Sequence, residues 1–99
     1  MKQSKECSTI QEIRTEIDRI DRQVIALFGE RFQYVQEIVR FKSNEEEVEA
    51  KPRYDEVLKI RREWAKENGI NPDVVETIYK TLMKYFIDEQ MKMLKEKKY

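Results

Sequence analysis

"LFGERFQYVQEIVRFK", residues 27–42, sits inside a helical repeat and breaks it at one position. Counted in heptads, one position holds Ile10, Ile17, Val24, Arg31 and Ile38; the position three residues on holds Ile13, Ile20, Leu27, Tyr34 and Phe41. Residues three and four apart share one face of an α-helix. The spacing therefore predicts a single long amphipathic helix from Ile10 to Phe41. Nine of these ten seam residues are apolar or aromatic, and the tenth is Arg31. A lone arginine in a seam sets register or pairs with a glutamate; alternatively it is held there for a ligand.

The flanks support this helix and predict two more. Ser8 or Thr9 caps its start, with Glu12 placed for a capping box. Gly29 lies in its interior at a cost of about 1 kcal/mol against alanine, and would admit close approach of another helix. "SNEEEVEAKP" follows, and residues 43–50 read as a polar, acidic loop. A second helix starts near Pro52, proline being tolerated in a first helical turn. Val57, Leu58, Ile60, Trp64 and Ala65 give it an apolar face. "ENGINPD" ends it, with Gly69 as C-terminal cap, Asn71 as the next N-cap and Pro72 as the first residue of a third helix. That helix carries Val75, Ile78, Tyr79, Leu82, Met83, Phe86 and Leu94, and frays into "KEKKY". No segment alternates with period two, so no sheet is expected. The expectation is an all-α chain of three helices forming one domain over residues 1–99.

Composition removes whole classes of function. Twenty Lys and Arg balance twenty Asp and Glu in a 99-residue chain. That leaves no net attraction to nucleic acid or to an acidic membrane. No apolar run is long enough to span a bilayer, and "MKQSKECSTI" lacks the apolar stretch of a signal peptide; a cytoplasmic location is expected. Histidine is absent and Cys7 is the single cysteine. A zinc site, an intrachain disulfide and a Cys-His or Ser-His nucleophile are thereby disfavoured, and no metal or cofactor is expected. Cys7 itself reads as an incidental surface thiol near the chain end.

Length bears on assembly. A helix of about 33 residues spans roughly 50 Å, whereas a compact chain of this size has a radius of gyration near 13 Å. The first helix would project beyond its own domain with its seam exposed. A second copy of the chain is the simplest cover.

Lys42 gives Arg31 a companion. It lies eleven residues further on, about 16 Å along the axis and about 20° around it. Two long cationic side chains on one face can converge on a small dianion, although a lysine at a helix C-terminus also serves the helix dipole. Arg14 precedes Arg31 by 17 residues, about 25 Å along the same helix. One chain cannot bring both to one small ligand, but an antiparallel partner can. The plainer role for Arg14 is a pair with Asp18 four residues on. Arg53 opens the second helix, where it could be an exposed charge. Gln90 falls on the stripe Tyr79, Met83, Phe86, Leu94, where its amide could offer donor and acceptor to the interior or lie partly exposed.

These residues carry a resemblance. "IRTEIDRIDRQVIALFGERFQYVQEIVRFK" resembles the first helix of the all-helical chorismate mutase class, most closely its isochorismate pyruvate lyase branch, the salicylate-forming enzymes of siderophore pathways. Cys7, "IDRID", "RFK" at 40–42, "WAKENG" at 64–69 and "FIDEQ" at 86–90 extend the likeness over almost the whole chain. The resemblance implies an intertwined homodimer with two equivalent sites and a small-molecule substrate. It implies Arg14 donated across the interface to a substrate carboxylate, and Arg31 binding a carboxylate within its own chain. Lys42 would reach the ether oxygen and the adjoining carboxylate, Arg53 would contribute from the second helix, and Gln90 would hydrogen-bond near the ether oxygen.

The chemistry so implied needs neither base nor nucleophile. Isochorismate would lose its enolpyruvyl side chain by a pericyclic elimination giving salicylate and pyruvate, with a weaker chorismate mutase activity beside it. In typical helical mutases a glutamate follows the second-helix arginine; "KPRYDE" puts Tyr54 there. That departure favours lyase over mutase as the main activity. Two alternatives stand: a chorismate mutase converting chorismate to prephenate, and a non-catalytic helical dimerisation module.

Overall fold

The computed structural model describes residues 2–97. It contains four α-helices: α1 (Ile10–Ile38), α2 (Glu45–Glu49), α3 (Lys51–Glu67) and α4 (Pro72–Lys97). Single 3-10 turns lie at Ser4–Glu6 and Val39–Phe41, and the described residues hold no strand. The three long helices fall where the apolar spacing put them. Lys98 and Tyr99, the end of the lysine-rich tail, lie outside the described residues.

Capping explains each start. Thr9 Oγ1 accepts the Glu12 N–H at 3.1 Å, and the Glu12 carboxylate reaches back to the Ser8 N–H at 2.7 Å. One orphan donor of the first turn, the Glu12 N–H, is thereby met, and the Ser8 N–H just before the helix is met with it. The Ser8 N–H and then the Lys2 ammonium hold the Glu12 carboxyl below its ordinary range. At α4, Asn71 Oδ1 accepts from the Asp73 N–H at 2.8 Å, with Pro72 in the first position. Between α3 and α4, Gly69 takes φ +71°. The Ile70 N–H returns to Ala65 O and the Gly69 N–H to Lys66 O, the two bonds of a Schellman cap.

The expected loop over residues 43–50 is corrected. Residues Glu45–Glu49 form one helical turn, α2, with Val48 buried. Asn44 Oδ1 accepts from the Glu47 N–H at 2.9 Å, while Glu47 Oε2 accepts from the Ser43 N–H at 2.7 Å. This is the arrangement of Thr9, Glu12 and Ser8 repeated. Three glutamates in the first turn also suit the positive end of the helix. Ala50 ends α2 in the left-handed region, φ 43° and ψ 55°, and its carbonyl accepts the Tyr54 N–H that starts α3. One residue thus closes one helix and opens the next.

The chain packs as two compact units, divided between Tyr34 and Val35. In the second unit α3 packs on α4, and α2 and the Val39–Phe41 turn also lie against α4. Val57, Leu58 and Met83 form its core cluster, with Tyr54 and Tyr79 packed against it. Arg62 bridges from α3 to Asp73 of α4 at 2.8 Å. Trp64 and Ile78, expected on the buried faces, remain about half exposed; the Arg61 guanidinium lies over the Trp64 ring at 4.5 Å.

In contrast, α1 buries none of its 29 residues. The nine apolar seam residues are 40–74% exposed, whereas Arg31 is half-buried. The polarity of an ordinary seam is inverted. A Cβ at Gly29 would meet nothing within 4 Å in the single chain, so no intrachain contact requires glycine there.

Left-handed backbone costs an L-residue about 1–2 kcal/mol. Ala50→Gly removes that penalty against about 0.4–1 kcal/mol of added unfolded-state entropy, so it should leave the melting temperature unchanged or slightly raised. Ala50→Val should lower it clearly. Thermal denaturation of both variants checks the Ala50 geometry.

Candidate active site

The five singled-out residues divide between the two units. Arg14 and Arg31 both belong to the first, on α1. Seventeen residues of helix hold them about 25 Å apart, too far for one small ligand to touch both within a chain. Arg14 is exposed and makes no ion pair with any described residue, Asp18 included. Arg31 is half-buried and engaged.

Lys42, Arg53 and Gln90 belong to the second unit. Gln90 is its one buried polar residue among those described, 7% exposed between Phe86 and Leu94 on α4. Its Nε2 donates to Val35 O at 2.9 Å. A carbonyl only accepts, so this bond fixes which way the amide faces. The second N–H on Nε2 remains for another acceptor. The glutamine is thus a donor held in place.

Lys42 follows the Val39–Phe41 turn in extended conformation, φ −103° and ψ 137°, with its N–H on Val39 O. Its side chain is half-buried, and its ammonium pairs with no described carboxylate. The backbone around it is held by Lys97. That ammonium donates to Val39 O at 3.1 Å, Arg40 O at 3.0 Å and Lys42 O at 2.9 Å. Val39 O also accepts the Lys42 N–H, whereas Arg40 O and Lys42 O lie past the last backbone bond of the turn. Gln90 and the Lys42 turn are therefore tied to one face of α4.

Arg53 is not tied to that face. It is exposed in the first turn of α3, and its Nη1 donates to Glu56. Beside it, Lys51 donates to Asp55 at 2.8 Å, and that hydrogen bond raises the lysine pKa. Tyr54 is half-buried against the Val57–Leu58–Met83 cluster, so its ring is part of the packing of the second unit.

Lysines at the end of a helix ordinarily complement their own helix dipole. Lys97 instead serves the end of α1, a contact between residues 55 to 58 apart in sequence that periodicity does not report.

Chemically, the second unit offers a fixed neutral donor, a half-buried ammonium on a braced turn and a guanidinium in a loose surface pair. The first unit offers two more guanidinium groups. Groups of these kinds are suited to carboxylates and to growing negative charge on oxygen.

Residues 13–91 match the family chorismate mutase type II. The chain is also 36% identical over 92 residues to the isochorismate pyruvate lyase of Pseudomonas aeruginosa, covering 93% of this chain and 91% of that protein. The chain belongs to the chorismate mutase type II family.

Proposed function

We propose that this protein is an isochorismate pyruvate lyase with a slower chorismate mutase activity. The observation that carries the reading is the end-to-end similarity to a lyase of that name. In the elimination, the ether C–O bond to the ring breaks as a ring hydrogen passes to the departing enolpyruvyl carbon. The ring becomes salicylate and the side chain pyruvate. Three electron pairs, those of the ring C–H bond, the ether C–O bond and the enol double bond, move within the substrate, so the enzyme's task is to hold the reactive conformer and stabilise charge on the ether oxygen.

The residues divide that task. Arg31 and Arg53 bind carboxylates, where a guanidinium fork fits the two oxygens. Lys42 places its ammonium at the ether oxygen and the adjoining carboxylate. Gln90, anchored on Val35 O, directs its second N–H toward the same oxygen. The Arg53–Glu56 pair is exposed on both sides, so giving it up for a ligand carboxylate costs little.

Arg14 is assigned to the site of a partner chain, in an intertwined homodimer. Support comes from the uncovered seam of α1, a helix about 43 Å long with no buried residue. A second copy laid antiparallel along that seam would bring its Arg14 past the Arg31 half of the first. The second reading is a chorismate mutase, favoured by the family match itself; the same cations would serve that rearrangement.

The discriminating experiment measures kcat/KM for isochorismate and for chorismate on the unmodified chain. We expect the larger value for isochorismate, with salicylate and pyruvate as products. Prephenate from chorismate without salicylate from isochorismate would make the protein a mutase.

Mixing Arg14→Ala with Arg31→Ala tests the shared site. Each homodimer should be nearly inactive, and subunit exchange should restore activity, because one site of the mixed dimer carries neither lesion. Proven mixed dimers without recovery would remove Arg14 from the partner's site.

Lys42→Ala should lower kcat at least about 100-fold, as does loss of an oxyanion donor, because charge on the ether oxygen is largest in the transition state. Loss confined to KM would reduce Lys42 to a binding cation.

A further inference from the structure

We infer that Lys97 is a positioning residue for the reaction, acting through Lys42. This rests on the functional reading above and adds to it a residue near the far end of the chain.

The ammonium of Lys97 has three N–H donors, and three carbonyls receive them: Val39 O, Arg40 O and Lys42 O, at 3.1, 3.0 and 2.9 Å. The other lysines with side-chain partners among the described residues sit on carboxylates. Exposed pairs of that kind are worth little. Lys97 instead completes the end of α1, where the helix has tightened into a 3-10 turn whose last backbone bond is the Lys42 N–H on Val39 O, with Arg40 O and Lys42 O beyond it. A cation also belongs at that negative pole.

The third carbonyl gives the contact its functional weight. Lys42 is the first residue beyond the turn, and its ψ of 137° orients the carbonyl that Lys97 holds. Binding that oxygen together with those of Val39 and Arg40 locks the peptide plane after Lys42 to the turn before it. The backbone at residue 42 then has one orientation from which its side chain departs. Without Lys97 the turn retains the Lys42 N–H bond to Val39 O at 3.1 Å, and the following peptide is held only through its Ser43 N–H on Glu47 Oε2 at 2.7 Å.

The brace has a rigid base. Gln90, Leu94 and Lys97 are spaced four and three residues apart on α4, one face of one helix. Gln90 meets Val35, and Lys97 meets residues 39–42. Between them Leu94 is the most deeply buried core residue, at 2% exposure. One helical face thus sets both the Gln90 donor and the backbone that carries the Lys42 ammonium. Misplacement of a reacting group by about 1 Å can cost about 100-fold in rate; a loosened turn moves a lysine head by a comparable distance.

A double-mutant cycle on the full chain tests this, with isochorismate turnover as readout and circular dichroism as the control for folding. Lys97→Met keeps the length of the side chain and removes its charge and donors. It should lower kcat and kcat/KM together by about 10-fold or more, and Lys97→Arg, which keeps the charge and several donors, should recover part of the loss. In a Lys42→Ala background, whose backbone carbonyl is intact, Lys97→Met should cost no more than about twofold further, the ordinary scatter of such cycles. An unchanged kcat in Lys97→Met overturns the inference, as does an equal loss with and without Lys42. Should Lys97→Met not fold, Lys97→Gln takes its place in the cycle; failure of both to fold makes Lys97 a stability residue and also overturns it. Absence of isochorismate and chorismate turnover in the unmodified chain overturns the functional reading itself, whereas intact turnover with an indifferent Lys97 overturns only this inference.

Discussion

A helix with eight exposed apolar seam residues and no buried one, followed by a ninth, Phe41, in the next turn, is the constraint on which the protein turns. Burying a large aliphatic or aromatic side chain stabilises by about 1.5–3 kcal/mol. Covering nine that are already partly shielded is therefore worth on the order of 10 kcal/mol per chain. That equals the whole stability of an ordinary domain, about 5–15 kcal/mol. Whatever covers the seam decides whether α1 persists, and α1 carries Arg14 and Arg31. In the proposed dimer, assembly and site formation are one event. Arg31 interrupts the seam where a hydrophobic residue would pack better, and it is half-buried and engaged where its seam neighbours are exposed.

The second unit meets a different demand. A pericyclic reaction asks the protein for no proton transfer, only for donors that do not move as charge develops. Flexible lysines and glutamines are poor at this unless braced. Gln90 is braced by burial and by Val35 O, and Lys42 through its backbone by the turn and Lys97. Both braces lead back to α4, which also packs on α3 and α2. The most apolar part of the fold thus supports the most polar part of the chemistry.

Much of this was legible in the sequence because it is local. The α1 helix, the Thr9 and Asn71 caps and the Gly69 stop follow from residues within a turn or two of each other; the sequence left Gln90 between the interior and partial exposure, and its burial and its bond to Val35 O decide it. The turn of helix at Glu45–Glu49 was equally local, but three consecutive glutamates obscured it. The cue was the Asn44-to-Glu47 spacing, the same as Thr9 to Glu12, with Val48 as a single apolar anchor. Trp64 and Ile78 show the limit of periodicity: it gives the face of a helix but not how far a small core reaches around it. Lys97 shows another limit. Its partners lie more than fifty residues away, and nothing in "KEKKY" distinguishes the lysine that turns back to α1 from those beside it.

The choice between elimination and rearrangement cannot come from the cations, since both reactions place two carboxylates and an ether oxygen among them. It must come from the hydroxyl, whose position differs between the two isomers, and from the conformer the walls admit. A mutase of this class meets the hydroxyl with a glutamate after the second-helix arginine. Here Tyr54 occupies that place and turns its ring to the Val57–Leu58–Met83 cluster, while Glu56 pairs with Arg53. No carboxylate directly after Arg53 is left to receive the hydroxyl of chorismate. A missing hydrogen bond to a neutral hydroxyl is worth only about 0.5–1.5 kcal/mol, roughly a factor of 2 to 13 in rate by the usual conversion. That is enough to bias a shared pocket toward elimination and too little to abolish the rearrangement, which is why a single site can carry both activities in unequal measure.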